Sequence, residues 1–223
     1  GFISGAANNL SLATNTTGVL VNSSIYAIGN ITINGVTATS NYGINYASHI
    51  NSKGNVTLNG ATTSGYGVLY TATNAPLITG NNVAVTGIST ADPGGAVSLG
   101  PVTINSTAIG GSLTVTGNVI GLSGALGGIN QTGDITGASG SNITFISNNN
   151  ISQAGTLRLA ANGSSNAANI TYDTTSGNRL STINTAPIIL ASGSTAGINY
   201  AVLSAGSSIT IDRAVEFPGQ ITM

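Results

Sequence analysis

The feature that most constrains this chain is a sequence that repeats itself. GNITINGVTATSNYGINY begins at Gly29 and GNVTLNGATTSGYGVLY begins at Gly54, so the two copies start 25 residues apart. Within each copy apolar residues alternate with Thr or Asn, and in an extended strand this alternation directs the two sets of side chains to opposite faces. Recurrence at such an interval is typical of proteins built from stacked coils, in which each coil packs against its neighbours.

The same alternation of an apolar, a small polar and an apolar residue occurs along most of the chain. Gly or Asn usually precedes it, and both residues suit turns because they tolerate positive φ or bond their own backbone. Each segment is predicted to be a short strand between turns. The segments are Leu10–Leu12, Ile31–Ile33, Val56–Leu58, Val83–Val85, Val97–Leu99, Val102–Ile104, Leu113–Val115, Ile143–Phe145, Leu157–Leu159, Ile170–Tyr172 and Ile209–Ile211.

A second motif follows each of the two opening copies, at Tyr42–Tyr46 and at Tyr66–Tyr70. It has relatives at Gly18–Val21 and Gly197–Ala201, and the latter repeats residues 43–47 letter for letter. A coil therefore holds at least two strands. The pattern predicts an all-β fold, a parallel β-solenoid with roughly 20–30 residues per coil.

Equivalent residues of successive coils in a parallel solenoid lie about 4.8 Å apart, so identical residues can form ladders. Asn30, Asn55 and Asn82 are predicted to form such a ladder at the turns. The tyrosines of the second motif are predicted to form two more ladders, which either close the edge of the coil or hold sugar rings against their faces. These tyrosines are Tyr42, Tyr46, Tyr66 and Tyr70.

The whole chain, 1–223, is expected to be one β-solenoid segment of a longer protein. Residues 1–110 carry the regular coils, and residues 111–205 keep the strand segments with less even spacing, which predicts less regular coils with loops. Residues 206–223 are predicted to be a charged junction or cap. This end contains three charged residues that are candidates for end-to-end docking: Asp212, Arg213 and Glu216.

Charge is unusually scarce, since charged residues make up 4% of the chain and the formal net charge is −1. Without a basic patch the sequence gives no support for nucleic-acid binding. No apolar run approaches the roughly 18 residues that a membrane-spanning helix needs, so we expect no membrane insertion of this segment. The absence of cysteine fits either a reducing cytosol or an exported protein, and it excludes disulfides and thiolate metal sites.

The residues that hydrolytic or metal chemistry needs are few and scattered. The acids Asp92, Asp134 and Asp173 show no clear common register, Asp212 and Glu216 flank an arginine, and His49 is the only histidine. Carbohydrate cleavage needs a pair of carboxyl groups, and a histidine metal site needs more than one imidazole. We therefore expect no enzymatic activity, no catalytic residues, no metal and no cofactor.

The segments GNITING and GNVTLNG, with their Thr-centred strands and near absence of charge, resemble the coils of filamentous-haemagglutinin-type exoproteins and of autotransporter passenger domains. The resemblance covers most of the chain in style and residues 29–85 in register. It implies a right-handed parallel β-helix that is exported by a Gram-negative bacterium and displayed extracellularly, at the cell surface.

The leading functional hypothesis is a structural or adhesive segment of a secreted surface fibre or adhesin. Its partners would be copies of itself, associated end to end into filaments, or glycans or proteins of a host or cell surface. One alternative is an ice- or surface-binding solenoid, because Thr37 and Thr39 align with Thr62 and Ser64 in the two opening copies. The other is a β-helix that binds or cleaves polysaccharides.

Overall fold

The computed structural model describes the chain in thirteen stretches. These are residues 3–5, 9–72, 76–90, 95–105, 111–120, 127–138, 140–160, 168–175, 181–185, 187–190, 196–201, 208–211 and 219–222. In this part of the molecule, 25 short strands pair in parallel into three sheets, and the chain visits sheets A, B and C in turn. The molecule is a parallel β-solenoid with three strands in each full coil, which confirms the predicted fold class.

Sheet A has eight short strands, which are β1 (Ile3–Gly5), β4 (Ile25–Ala27), β7 (Ile50–Ser52), β10 (Ile78–Gly80), β13 (Val102–Ile104), β16 (Ile135–Ala138), β19 (Leu157–Ala160) and β22 (Ile188–Leu190). Sheet B has nine strands, which are β2 (Leu10–Thr14), β5 (Ile31–Thr37), β8 (Val56–Thr62), β11 (Asn82–Ser89), β14 (Ser112–Val119), β17 (Asn142–Ser147), β20 (Ala168–Asp173), β23 (Ala196–Ala201) and β25 (Gly219–Thr222). Sheet C has eight strands, which are β3 (Val19–Val21), β6 (Tyr42–Tyr46), β9 (Tyr66–Tyr70), β12 (Val97–Leu99), β15 (Ile129–Gln131), β18 (Ile151–Gln153), β21 (Thr182–Thr185) and β24 (Ser208–Ile211).

The core is a set of apolar ladders inside the stack of coils. In sheet B, Ile31 pairs with Val56, Val56 with Val83 and Val83 with Leu113, and all four side chains are buried. The next inward ladder includes Phe145 and Tyr172, whose rings stack with centroids 5.2 Å apart. Because each coil supplies the same inward positions, the interior continues from coil to coil.

The length of the coil varies while the three sheets stay in register. Hydrogen bonds join equivalent positions of neighbouring coils that are 21, 25, 27 and 30 residues apart in sequence. The extra residues lie between strands, so the turns absorb the variation. Nine strands at about 4.8 Å make sheet B about 40 Å long along the stacking axis.

Glycine allows sheet B to meet sheet C at a tight corner. Gly35, Gly60, Gly87 and Gly117 pair in one ladder near the ends of their strands. A Cβ on any of them would overlap a backbone carbonyl oxygen of the same coil's sheet C segment. This close approach explains why the repeated segments GNITING and GNVTLNG both end in glycine.

All eleven predicted strand segments lie within strands, and the less even spacing after residue 111 does not interrupt the three sheets. One prediction fails. The segment Gly197–Ala201 is identical to residues 43–47, yet it lies in β23 of sheet B, whereas residues 43–46 lie in β6 of sheet C. The shared letters encode a strand with alternating faces, and alternation alone does not select the sheet. Among the described residues, no helix has both the length and the apolarity needed to cross a bilayer.

Candidate binding surface

The outer face of sheet B is the broadest regular surface of the molecule, because its strands are up to eight residues long whereas those of sheet A have three or four. Alternate residues point outward and form rows along the stacking axis. The row nearest the start of the strands, here the Asn row, contains Asn30, Asn55, Asn82, Ser112, Asn142 and Asn169. The next row, here the Thr row, contains Ser11, Thr32, Thr57, Ala84, Thr114, Thr144 and Thr171.

Side chains of the Asn row bond to one another or to the adjacent backbone. The backbone N–H of Asn55 donates to Oδ1 of Asn30 at 2.8 Å, and Nδ2 of Asn82 donates to Oδ1 of Asn55 at 2.9 Å. The Ser112 hydroxyl donates to Oδ1 of Asn82 at 2.9 Å. The three asparagines proposed from the sequence as a turn ladder are thus in contact, at the point where the chain enters sheet B. These bonds hold the exposed amides in fixed orientations.

The Thr row differs because its hydroxyls have no partner in the described part of the protein. Thr32, Thr57, Thr114, Thr144 and Thr171 are each partly exposed, and within the described residues none of their hydroxyls makes a hydrogen bond. Threonine is branched at Cβ, which restricts χ1 in a strand. The row therefore presents unsatisfied hydroxyl groups on a rigid support.

A third outward row, here the mixed row, runs beside the Thr row. It contains Ala13, Asn34, Asn59, Thr86, Thr116, Ile146 and Asp173. Nδ2 of Asn59 donates to Oδ1 of Asn34 at 2.8 Å. Over β2, β5, β8, β11, β14 and β17, all of them described, the outward positions contain neither a charged nor an aromatic residue, and Asp173 in β20 is the first charge.

The outward rows of the other two sheets are narrower and less uniform. The row of sheet A contains Tyr26 and Asn51 at one end and Arg158 and Ile189 at the other. Two of its threonines bond to each other: Oγ1 of Thr103 lies 3.0 Å from Oγ1 of Thr136. Sheet C places the exposed Leu20 next to Asn45, which in turn pairs with Leu69.

The tyrosines of the second motif pair in register, Tyr42 with Tyr66 and Tyr46 with Tyr70, but they lie in different environments. Tyr46 is fully buried, its hydroxyl oxygen accepts the backbone N–H of Gly100 at 2.8 Å, and burial raises its pKa well above the ordinary value. Its ring centroid lies 5.6 Å from that of Tyr70, with the planes tilted by 52°. Tyr46 therefore packs in the core, while Tyr42 and Tyr66 remain half-buried at the start of sheet C strands.

The threonines that suggested a surface array from the sequence are largely structural. Thr37 pairs with Thr62, but both are only 3% exposed. The Thr37 hydroxyl donates to the carbonyl oxygen of Thr16 at 3.1 Å, and the Thr62 hydroxyl donates to that of Ser40 at 2.8 Å. The alignment of Thr37 with Thr62 is therefore correct, but both side chains point inward and bond the neighbouring coil. Of the other two residues in the predicted array, Thr39 is exposed and Ser64 is half-buried.

The sequence alone does not identify the Thr row as a candidate surface, although its threonines belong to the predicted strand segments. The alternation predicts only that the middle residue of each apolar–Thr–apolar segment points outward from its strand. Because coil length varies, the register that stacks Thr57 on Thr32 but Ala84 on Thr57 follows from the backbone pairing. Counting identical residues at one period does not find it.

The remaining predictions concern the charged residues near the C-terminus and the absence of a metal site. Asp212, Arg213 and Glu216 lie outside the described residues. In the part that the structure describes, His, Cys, Asp and Glu form no group of three or more that could hold a metal ion. Comparison of the chain with protein-family models, with curated proteins and with solved structures finds no match.

Proposed function

We propose that this chain is a structural and adhesive segment of a fibre or adhesin displayed at a bacterial cell surface, of the filamentous-haemagglutinin or autotransporter-passenger type. The observation that carries the proposal is the combination of a constant core with coils of variable length. A stack of this kind extends by repeating one set of strands, and its turns change without altering the inward ladders. Such a design suits a shaft that holds binding groups away from a cell.

Tyr42 and Tyr66 supply the adhesive part of the proposal. They are neighbours in register, half-buried, and follow turns rich in Ser, Thr and Asn. A partly exposed aromatic face beside hydroxyl and amide groups is suited to a sugar ring, which has apolar C–H faces and polar edges. The expected partners are therefore neutral glycans of a host or cell surface.

A glycan array probed with the labelled chain tests this role. We expect binding to neutral glycans, and a loss of that binding in Tyr42→Ala and Tyr66→Ala. Tyr26→Ala is the matched control, because Tyr26 is also half-buried but lies on sheet A. The adhesive role is wrong if the wild-type chain binds no glycan, or if Tyr26→Ala loses binding equally.

The structural part of the proposal includes end-to-end association. Each strand of a parallel stack offers the same backbone donors and acceptors on both sides, so a coil at either end of an isolated 223-residue chain can pair with another copy. Sedimentation should show concentration-dependent association, and neutralising Asp212, Arg213 and Glu216 together should change its extent. A chain that stays monomeric at high concentration in both forms contradicts this step.

A further inference from the structure

We infer that the outer face of sheet B binds an ordered lattice of water, that is, the surface of an ice crystal. The inference is independent of the proposed adhesive role, because it concerns a different face of the coil. It is carried by the Thr row, whose hydroxyls are partly exposed, rigidly held and unpartnered among the described residues. The Thr row lies between the hydrogen-bonded Asn row and the mixed row, so most of its neighbours on this face are uncharged polar residues.

The spacing of the row favours water over other ligands. Successive hydroxyls of a parallel sheet lie about 4.8 Å apart. In a tetrahedral network of O–H···O bonds about 2.75 Å long, second-neighbour oxygens lie about 4.5 Å apart. The two repeats differ by about 0.3 Å per coil, so hydroxyls of a few adjacent coils can occupy oxygen positions of such a lattice together.

The chemistry of the outer face of sheet B also favours ice as its ligand. Ice is uncharged and offers donors and acceptors in equal number, and the threonine hydroxyl also serves as both. The described outward positions from β2 to β17 carry no charge, so no strongly hydrated group competes for water there. They also carry no aromatic ring, the group on which a sugar would stack. A soluble glycan is therefore a poorer match for this face than for the one that bears Tyr42 and Tyr66.

Outward threonine hydroxyls occur in several consecutive coils of sheet B, so the contact with ice can extend over more than one coil. Ala84 interrupts the Thr row at β11, but the same strand places Thr86 in the mixed row, beside Thr116 of β14. β14 therefore presents two outward threonines, Thr114 and Thr116, at the centre of the sheet. This centre is the place where a substitution should disturb binding most.

The test is freezing-point hysteresis of the full chain, together with uptake of the fluorescently labelled chain into a growing ice hemisphere. We expect the wild type to show both and Thr114→Tyr to lose both, because a large ring would project beyond the hydroxyl groups of the Thr row while remaining compatible with a strand. Asn51→Tyr is the control, since Asn51 is an exposed outward residue of sheet A. Thr57→Lys is a second variant in the Thr row, in case Thr114→Tyr does not fold, and circular dichroism checks every variant.

The assignment is wrong if the wild-type chain shows neither hysteresis nor uptake into ice. It is also wrong if folded Thr114→Tyr and Thr57→Lys retain full activity, or if Asn51→Tyr loses as much as they do. Parallel sedimentation with chitin and cellulose powders identifies a competing ligand. Binding to either powder through the Thr row, without uptake into ice, would identify a crystalline polysaccharide as the ligand of this face and overturn the inference.

Discussion

At the scale of single residues, the closest backbone packing occurs where sheet B meets sheet C. A Cβ at Gly60 would overlap the carbonyl oxygen of Gly67, which is backbone and cannot move independently. We expect Gly60→Ala to lower the free energy of unfolding by about 1–3 kcal/mol, the usual cost of overpacking. Gly127→Ala is the control, because its added Cβ would lie 3.9 Å from its nearest neighbour, the carbonyl oxygen of Ile129. Equal denaturant midpoints for the two variants would contradict the proposed corner.

The second prediction at this scale concerns Tyr46 and pH. Burial raises the pKa of Tyr46, so above pH 10, the ordinary value, the unfolded chain releases this proton while the folded chain keeps it. The contribution of Tyr46 to stability is therefore complete below pH 10 and declines as pH rises, by up to about 1.4 kcal/mol per pH unit. Tyr46→Phe should be less stable at neutral pH, because the Gly100 N–H loses its partner, but its stability should fall less steeply with pH.

Chemical denaturation between pH 8 and 11 measures both effects, with Tyr66→Phe as the control for a half-buried tyrosine. Parallel slopes for the wild type and Tyr46→Phe above pH 10 would show that the buried hydroxyl does not govern the alkaline transition.

At the scale of the strand, neighbouring residues lie on opposite faces, one buried in the core and the other exposed. In β5, Ile33 is fully buried between Leu12 and Leu58, whereas Thr32 points outward. Ile33→Asp should lower the free energy of unfolding by more than about 3 kcal/mol, because it buries a charge without a partner. The same substitution at Thr32 should cost below about 1 kcal/mol, as is usual for an exposed position. The melting temperatures of the two variants test this difference, and similar values would mean that the two faces of β5 are assigned wrongly.

The strand is also the level at which the sequence is most informative. Alternation is local, so segments such as Val56–Leu58 predict both a strand and the face of each residue. The short strands of sheet A are harder to find: β7 and β10 have three residues each, too few to show a period. The burial of Thr37 can be predicted from the sequence, because Thr37 occupies the same alternate positions of the strand as Ile31 and Ile33. The sequence pattern does not show that the Thr37 hydroxyl bonds the neighbouring coil.

At the scale of the whole molecule, stability is shared along the stack, because every internal strand pairs on both sides. β19 lies between β16 and β22, and Arg158 within it pairs with Thr136 and Ile189. Its side chain is exposed, yet its backbone can enter a protease only after both ladders open. Exposure of a cleavable side chain therefore does not by itself make this chain susceptible.

Limited digestion with trypsin tests this sharing of stability. The chain offers only four sites, Lys53, Arg158, Arg179 and Arg213, and the last two lie outside the described residues. Lys53 occupies the bend between β7 and β8, so we expect cleavage after Lys53 to precede cleavage after Arg158, because a bend opens more often than a strand paired on both sides. Digestion in urea, followed by mass spectrometry, is the control that shows the Arg158–Leu159 bond to be cleavable once the stack is lost. Early cutting after Arg158 in the native chain would mean that the coils around β19 open independently of their neighbours.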